Sequence, residues 1–300
     1  MTLDQTPDLP ALPYSSFGPK LEDLLDFVAN RVARDKSTTI GHVAGADILV
    51  ESVARVAANS FRTAKFICSE DDAVGKRPEY VLSLPPLTRS LVDSIFLVVY
   101  IFNDVEKNIP RYIRGGWREL VEELARYKTE YGNDPKWHAW IQEFERGIGH
   151  FAAEANVTEI EMQDPKKVHY WPTPTQMLGD KTLPRETVEF LNFVIDWHYR
   201  SLSSSIHLSW PGLVKRSAAL MDYQRDKALR NWRLDKQRSD AMGVTCVLAL
   251  AFVTEIEFQL RFGLYERITY VWGVLAPYYG IAEELWDRRY KRLCDQLPRG

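Results

Sequence analysis

The sequence predicts an all-α protein: a helical bundle with a polar helical-hairpin insertion and a long ordered proline-rich loop. Three observations carry that reading. Apolar residues recur at helical rather than alternating spacing in almost every segment. No strand-like segment, internal repeat or glycine-rich phosphate loop interrupts them. The composition, 45% hydrophobic and 26% charged with nine tryptophans, is that of a globular chain with material for a substantial core.

Residues 1–19 contain four prolines and read as an extended arm, and their lack of a basic start and apolar centre excludes a signal peptide. From 20 to 300 we expect one helical-bundle domain. Its first helix, 20–35, places Leu21, Leu24, Leu25, Val28 and Val32 on one face. A second, from Ala44 to about Glu70, turns Val50, Val53, Ala54, Ala57, Phe61 and Ala64 inward. Pro85 and Pro86 mark a helix start, where a missing N–H costs nothing, and introduce the strongly apolar helix 87–104. The hairpin insertion, 111–156, pairs helices 111–131 and 135–156 across "YGNDPK". Residues 157–184 carry four prolines and no clean period, and read as an ordered loop anchored by Tyr170 and Trp171. Helices are expected again at 185–209, 213–236 and 239–264, with two shorter ones to about 294.

The bulk properties exclude several functions. A net charge of −3 supplies no global field for nucleic acid, so any such contact must be a local patch. Three cysteines, far apart and odd in number, fit neither a disulfide framework nor a zinc site and accord with a reducing cytoplasm. The histidines show no HExxH or ExxH spacing, so neither a metal nor a cofactor is expected. No serine sits in a G-x-S-x-G elbow. The longest apolar run, 241–260, is broken by Glu255 and Glu257 and reads as a buried helix, with no membrane partner.

One stretch departs from this plain pattern. In "DWHYRSLSSSIHLSWP", residues 196–211, Asp196, Arg200, Ser203 and His207 fall at i, i+4, i+7 and i+11, with Ser204 beside them. They form a polar stripe on an otherwise apolar helix. A buried arginine needs a partner, and Asp196 is one turn away. Two further polar interruptions, Arg89 with Asp93 and Glu255 with Gln259 and Arg261, lie in the two most apolar helices. All three are candidates for one buried network, either structural or lining a site.

The motifs "RSLVDSIF", "HYWPTP" and "YRSLSSSIHLSWPGL" resemble a family of bacterial all-helical proteins of unknown function. That family has an Arg-x-x-acid core helix and a Tyr-x-x-Leu-Ser-x-x-Val-His segment. The matching positions are Arg89, Asp93, Tyr199, Leu202, Ser203, Ile206 and His207, within roughly 80–265, although Arg89 and Asp93 have three residues between them where the family pattern has two. More loosely, Arg200 and His207 resemble the Arg-x(4–6)-His signature of HEPN domains, with six residues between them and Ser201 where an amide or acid is usual. The resemblance implies a metal-independent ribonuclease of a toxin or defence system. Histidine would move the 2′-hydroxyl proton and arginine would stabilise the phosphorane. Arg200 and His207 would be catalytic, with Asp196, Ser203, Ser204, Arg89, Asp93 and Tyr199 in support. It also implies a homodimer, to which Trp272, Tyr278 and Tyr279 would contribute as exposed aromatics.

Directly after the stripe, 215–238 is a local basic stretch with Tyr223 and Trp232 interleaved. Lys215, Arg216, Arg225, Arg230 and Arg233 are its candidate nucleic-acid contacts, although a solvated helix face laced with ion pairs would use the same residues. Two functions therefore stand: a protein acting on RNA or a nucleotide, and a non-catalytic interaction or sensor module.

Overall fold

A computed structural model describes residues 14–34, 43, 45–68, 78–200, 202 and 227–296. Its elements are α-helices with short 3₁₀ and π segments, and among the described residues there is no strand. The described residues divide into two compact units, one containing residues 50–68, 78–99, 184–200, 202 and 227–296 with the N-terminal helix, the other containing 45–49 and 100–183.

The larger, bundle unit is built on helix α9 (Lys227–Leu260), and we number the helices before it α1 (Tyr14–Arg34), α2 (Ala46–Cys68), α3 (Leu84–Asn103), α4 (Val105–Tyr131), α5 (Pro135–Glu154), α6 (Glu159–Gln163), α7 (Pro174–Met177) and α8 (Arg185–Val194). Every residue from Cys246 to Val253 is at most 1% exposed. Such a helix is covered on all sides, which explains why its sequence is apolar all round rather than striped. α1 and α10 (Tyr265–Leu275) pack against it. The inward residues expected on α1 and α2, Leu21 and Phe61 among them, are buried, each such side chain contributing about 1.5–3 kcal/mol.

Two expectations change. Of the helices expected at 213–236 and 239–264, residues 213–226 lie outside the described residues, and the rest form one continuous helix, Lys227–Leu260, because neither proline nor a capping break intervenes at Ser239–Asp240. The glycine inside it, Gly243, meets the Tyr279 ring, which would lie 2.1 Å from an added Cβ. The helix expected at 185–209 is α-helical to Val194 and passes through a π turn at Ile195–Tyr199, in which the Arg200 N–H donates to the Ile195 carbonyl; Arg200 and Leu202 are again helical, and the rest of that stretch lies outside the described residues.

Two stretches, Tyr80–Asn103 and Leu234–Leu260, are long and apolar enough to cross a membrane, yet most of each is buried within the protein. Trp272 is also interior, 1% exposed and donating its indole N–H to Thr254 Oγ1 at 3.0 Å, so it offers no exposed surface to a dimer partner.

In the smaller, hairpin unit, α4 and α5 pack around Trp117, Leu124, Ile141, Ile148 and Ala152, with Val168 from the following loop. Asp104 caps α4 by accepting from the Lys107 N–H, and Asp134 caps α5 ahead of Pro135. Residues 157–183 are held by two capping boxes, Thr158 with Glu161 and Thr173 with Gln176. Trp171 stands edge-on to Tyr100 and Tyr112, with ring centroids at 5.3 and 4.8 Å.

Candidate functional site

The described part of the stripe, Asp196 and Arg200, lies on and just after the π turn that follows α8, in the bundle unit, and Tyr199 beside it packs on α3. On α3, Arg89 and Asp93 stand one turn apart, and Arg89 Nε donates to both carboxylate oxygens at 3.0 and 2.9 Å. The guanidinium carbon lies 3.3 Å from the centre of the Tyr199 ring, a cation–π contact of about 0.5–1 kcal/mol at a partly exposed site. Tyr199 in turn tilts against Phe96. The π turn sets this arrangement by carrying Tyr199 onto α3. Burial pushes the Asp93 carboxyl above its ordinary pKa in spite of Arg89 beside it.

Asp196 and Arg200 form the second pair, at 2.9 Å, and their position corrects the expectation of a buried network. The side chains are 64% and 74% exposed, so the pair lies on an open helix face. The π turn is the physical cause: a bond from residue 200 back to 195 widens the helix, and the 100° step assumed for the stripe does not hold there. His198, on the same turn, is partly buried beside Trp197, and burial lowers its pKa to about 4. It is neutral at pH 7.

The third interruption does not join the other two. Glu255 pairs with Arg289 from the π segment Trp286–Tyr290, through bonds of 2.6 and 3.0 Å. Arg289 Nη1 also reaches Thr187 Oγ1 at 3.5 Å. Arg261 is exposed and donates to the Gln296 carbonyl. Glu257, one turn before Arg261, accepts three backbone N–H bonds from Phe262, Gly263 and Leu264, so it is a cap for the turn into α10.

The remaining predicted residues are placed as follows. Ser203, Ser204, His207, Lys215, Arg216 and Arg225 lie outside the described residues. Arg230 and Arg233 lie on the first turns of α9, and only their backbone is described. Nearby, Trp232 is 57% exposed with Lys236 Nζ 5.6 Å from its ring. Among the described residues no group of three or more His, Cys, Asp or Glu side chains is placed to hold a metal ion.

Sequence reading missed Arg289, since "DRRY" does not say which arginine turns inward. It also missed Arg111, Tyr100 and Asp180, which meet only through tertiary folding. The motif "HYWPTP" was the one signal near them. Comparison of the chain with family models, with curated proteins and with solved structures finds no match.

Proposed function

We propose that the chain acts on RNA or a nucleotide without a metal, as a HEPN-like helical protein in which Arg200 and His207 carry the chemistry. The observation that supports this most is the openness of Arg200. Its side chain is 74% exposed and anchored by Asp196, whereas an arginine serving only to complete a core is closed over. A guanidinium held this way turns to a phosphate at little cost, because the exposed ion pair it leaves is worth about 0.2–1 kcal/mol.

In the reaction, His207 removes the proton of a ribose 2′-hydroxyl. The 2′-oxygen attacks the adjacent phosphorus, and Arg200 stabilises the charge on the phosphorane oxygens. The 5′-oxygen then leaves and takes up a proton, giving a 2′,3′-cyclic phosphate and a 5′-hydroxyl. Arg89, Asp93 and Tyr199 hold the end of α8 in place. Exposed Trp232, next to Arg230 and Arg233, supplies a stacking surface for a base on the basic stretch. The family resemblance sets such a protein in a bacterial cytoplasm as a toxin or defence effector, and a homodimer is part of the same reading.

The competing reading, a non-catalytic interaction or sensor module, draws on a different observation. Arg89 and Arg200 are each already paired within their own helix, so both charges are satisfied without a ligand. One experiment separates the two. Total RNA is incubated in EDTA with wild type, Arg200→Ala and His207→Ala, and all three proteins are melted. Cleavage by wild type with cyclic-phosphate ends, lost in both variants at unchanged melting temperature, is the expected result. Absence of cleavage by wild type, or equal cleavage by all three, removes the ribonuclease reading.

A further inference from the structure

The hairpin unit contains a cleft of about 470 Å³ lined by Tyr100, Arg111, His169, Gln176, Gly179 and Asp180, with Tyr170 and Pro172 at its wall. That volume is within the range of small-molecule sites, about 300–1,000 Å³. Its construction begins on α4. Arg111 and Gly115 are one turn apart, and a Cβ on Gly115 would lie 3.0 Å from the Trp171 backbone nitrogen and 3.3 Å from the His169 carbonyl. Only a glycine lets the loop approach so closely, and that approach sets His169 and Tyr170 along the cleft with Arg111.

Arg111 is the unusual member. A guanidinium offers five N–H donors. Nε is shielded from solvent and has no acceptor among the described residues, and Nη1 reaches only the Tyr100 hydroxyl, at 3.5 Å. Among the described residues no carboxylate pairs with it. A half-buried arginine so poorly satisfied is costly unless an acceptor completes it.

Asp180 is the opposite case. It accepts from the Tyr100 hydroxyl at 2.5 Å, and from the Thr182 N–H and hydroxyl at 2.9 and 2.8 Å. The Tyr100 hydrogen bond, then those from Thr182, lower its pKa to about 2, so it is a fixed anion at neutral pH. Arg111 and Asp180 meet on the same hydroxyl oxygen, within reach of one small ligand. Gln176 has its Oε1 committed to the Thr173 N–H, which leaves its amide N–H₂ for the cleft. The hydroxyl of Tyr170 is taken by Glu122 and one ring face by Arg118, so its ring serves as wall.

We propose that this cleft binds a small molecule presenting an oxyanion, phosphate or carboxylate, to Arg111 and a hydroxyl or ammonium donor to Asp180. A bare polyanion is disfavoured by the fixed charge of Asp180. A nucleoside monophosphate, with ribose hydroxyls, and an α-amino acid, with its ammonium, both satisfy the pattern. The site is independent of the RNA-cleavage reading.

The test is calorimetric titration of the full chain with AMP, glutamate, succinate and inorganic phosphate. AMP or glutamate is expected to bind with a Kd of about 1 mM or tighter, and succinate and inorganic phosphate about tenfold more weakly. The AMP and glutamate arms decide between phosphate and carboxylate. Arg111→Gln is expected to weaken binding by about tenfold or more. Should that variant unfold, Gln176→Ala and His169→Ala, both of exposed cleft residues, are expected to weaken it measurably. Failure of both AMP and glutamate to bind, or unchanged affinity in the cleft variants, overturns the proposal.

Discussion

Glu255 and Arg289, 34 residues apart in sequence, meet inside the bundle unit as a two-pronged ion pair with side chains only 1% and 6% exposed. Burial works against the charge of Arg289, but the opposite charge and hydrogen bonds of Glu255 outweigh it and hold its pKa above the usual value. The pair ties the π segment Trp286–Tyr290 to the central helix, at a point where Tyr290 also stacks on Trp272.

Breaking this pair from one side leaves an uncompensated buried charge. Glu255→Leu is expected to destabilise by about 3–5 kcal/mol in urea unfolding. The double variant Glu255→Leu/Arg289→Met is expected to be more stable than the single one. If the losses simply add, the two side chains are not coupled.

His198 makes stability depend on pH. Its folded pKa, lowered by burial to about 4, lies below the ordinary value near 6.5. Below pH 6.5 the unfolded chain therefore takes up a proton that the folded chain refuses, and stability falls as pH drops from about 6.5 to about 4. Replacing His198 with phenylalanine is expected to flatten that part of the curve, measured by urea midpoints at successive pH values. An unchanged slope would place the titration elsewhere.

Asp180 acts lower on the scale. With a folded pKa of about 2 against about 3.9 unfolded, its contribution is complete above pH 4 and is lost as pH falls towards 2. Tyr100→Phe removes the hydrogen bond that contributes most to this shift, so the Asp180 carboxyl is expected to titrate higher in that variant, followed by carbonyl NMR. If its titration does not move, Tyr100 is not what holds it down.

The helices themselves were legible because periodicity is local. The inward faces of α1 and α2 can be read directly from Leu21 to Ala64, and Pro85 and Pro86 do lie in the first turn of α3. The hairpin turn is written in "YGNDPK", where Asp134 caps and Pro135 begins the helix. The candidate site was less legible. Arg89 and Asp93 were singled out as polar residues in apolar surroundings and Tyr199 through the family resemblance, and Arg89 touches both of the others. Asp196 and Arg200 were also paired correctly, yet on an open face, since nothing in "IDWHY" announces a π turn.

By itself, then, the sequence determined the helical class, most helix faces and the i, i+4 ion pairs, because all of these depend on residues within a turn or two of each other. Only the tertiary structure decided which charges are buried and with whom. Glu255 found Arg289 rather than the stripe, Glu257 became a cap, and Arg111 was left beside Asp180 with donors to spare. Those outcomes depend on how helices distant in sequence pack, and no short-range pattern encodes the partner a buried charge will meet.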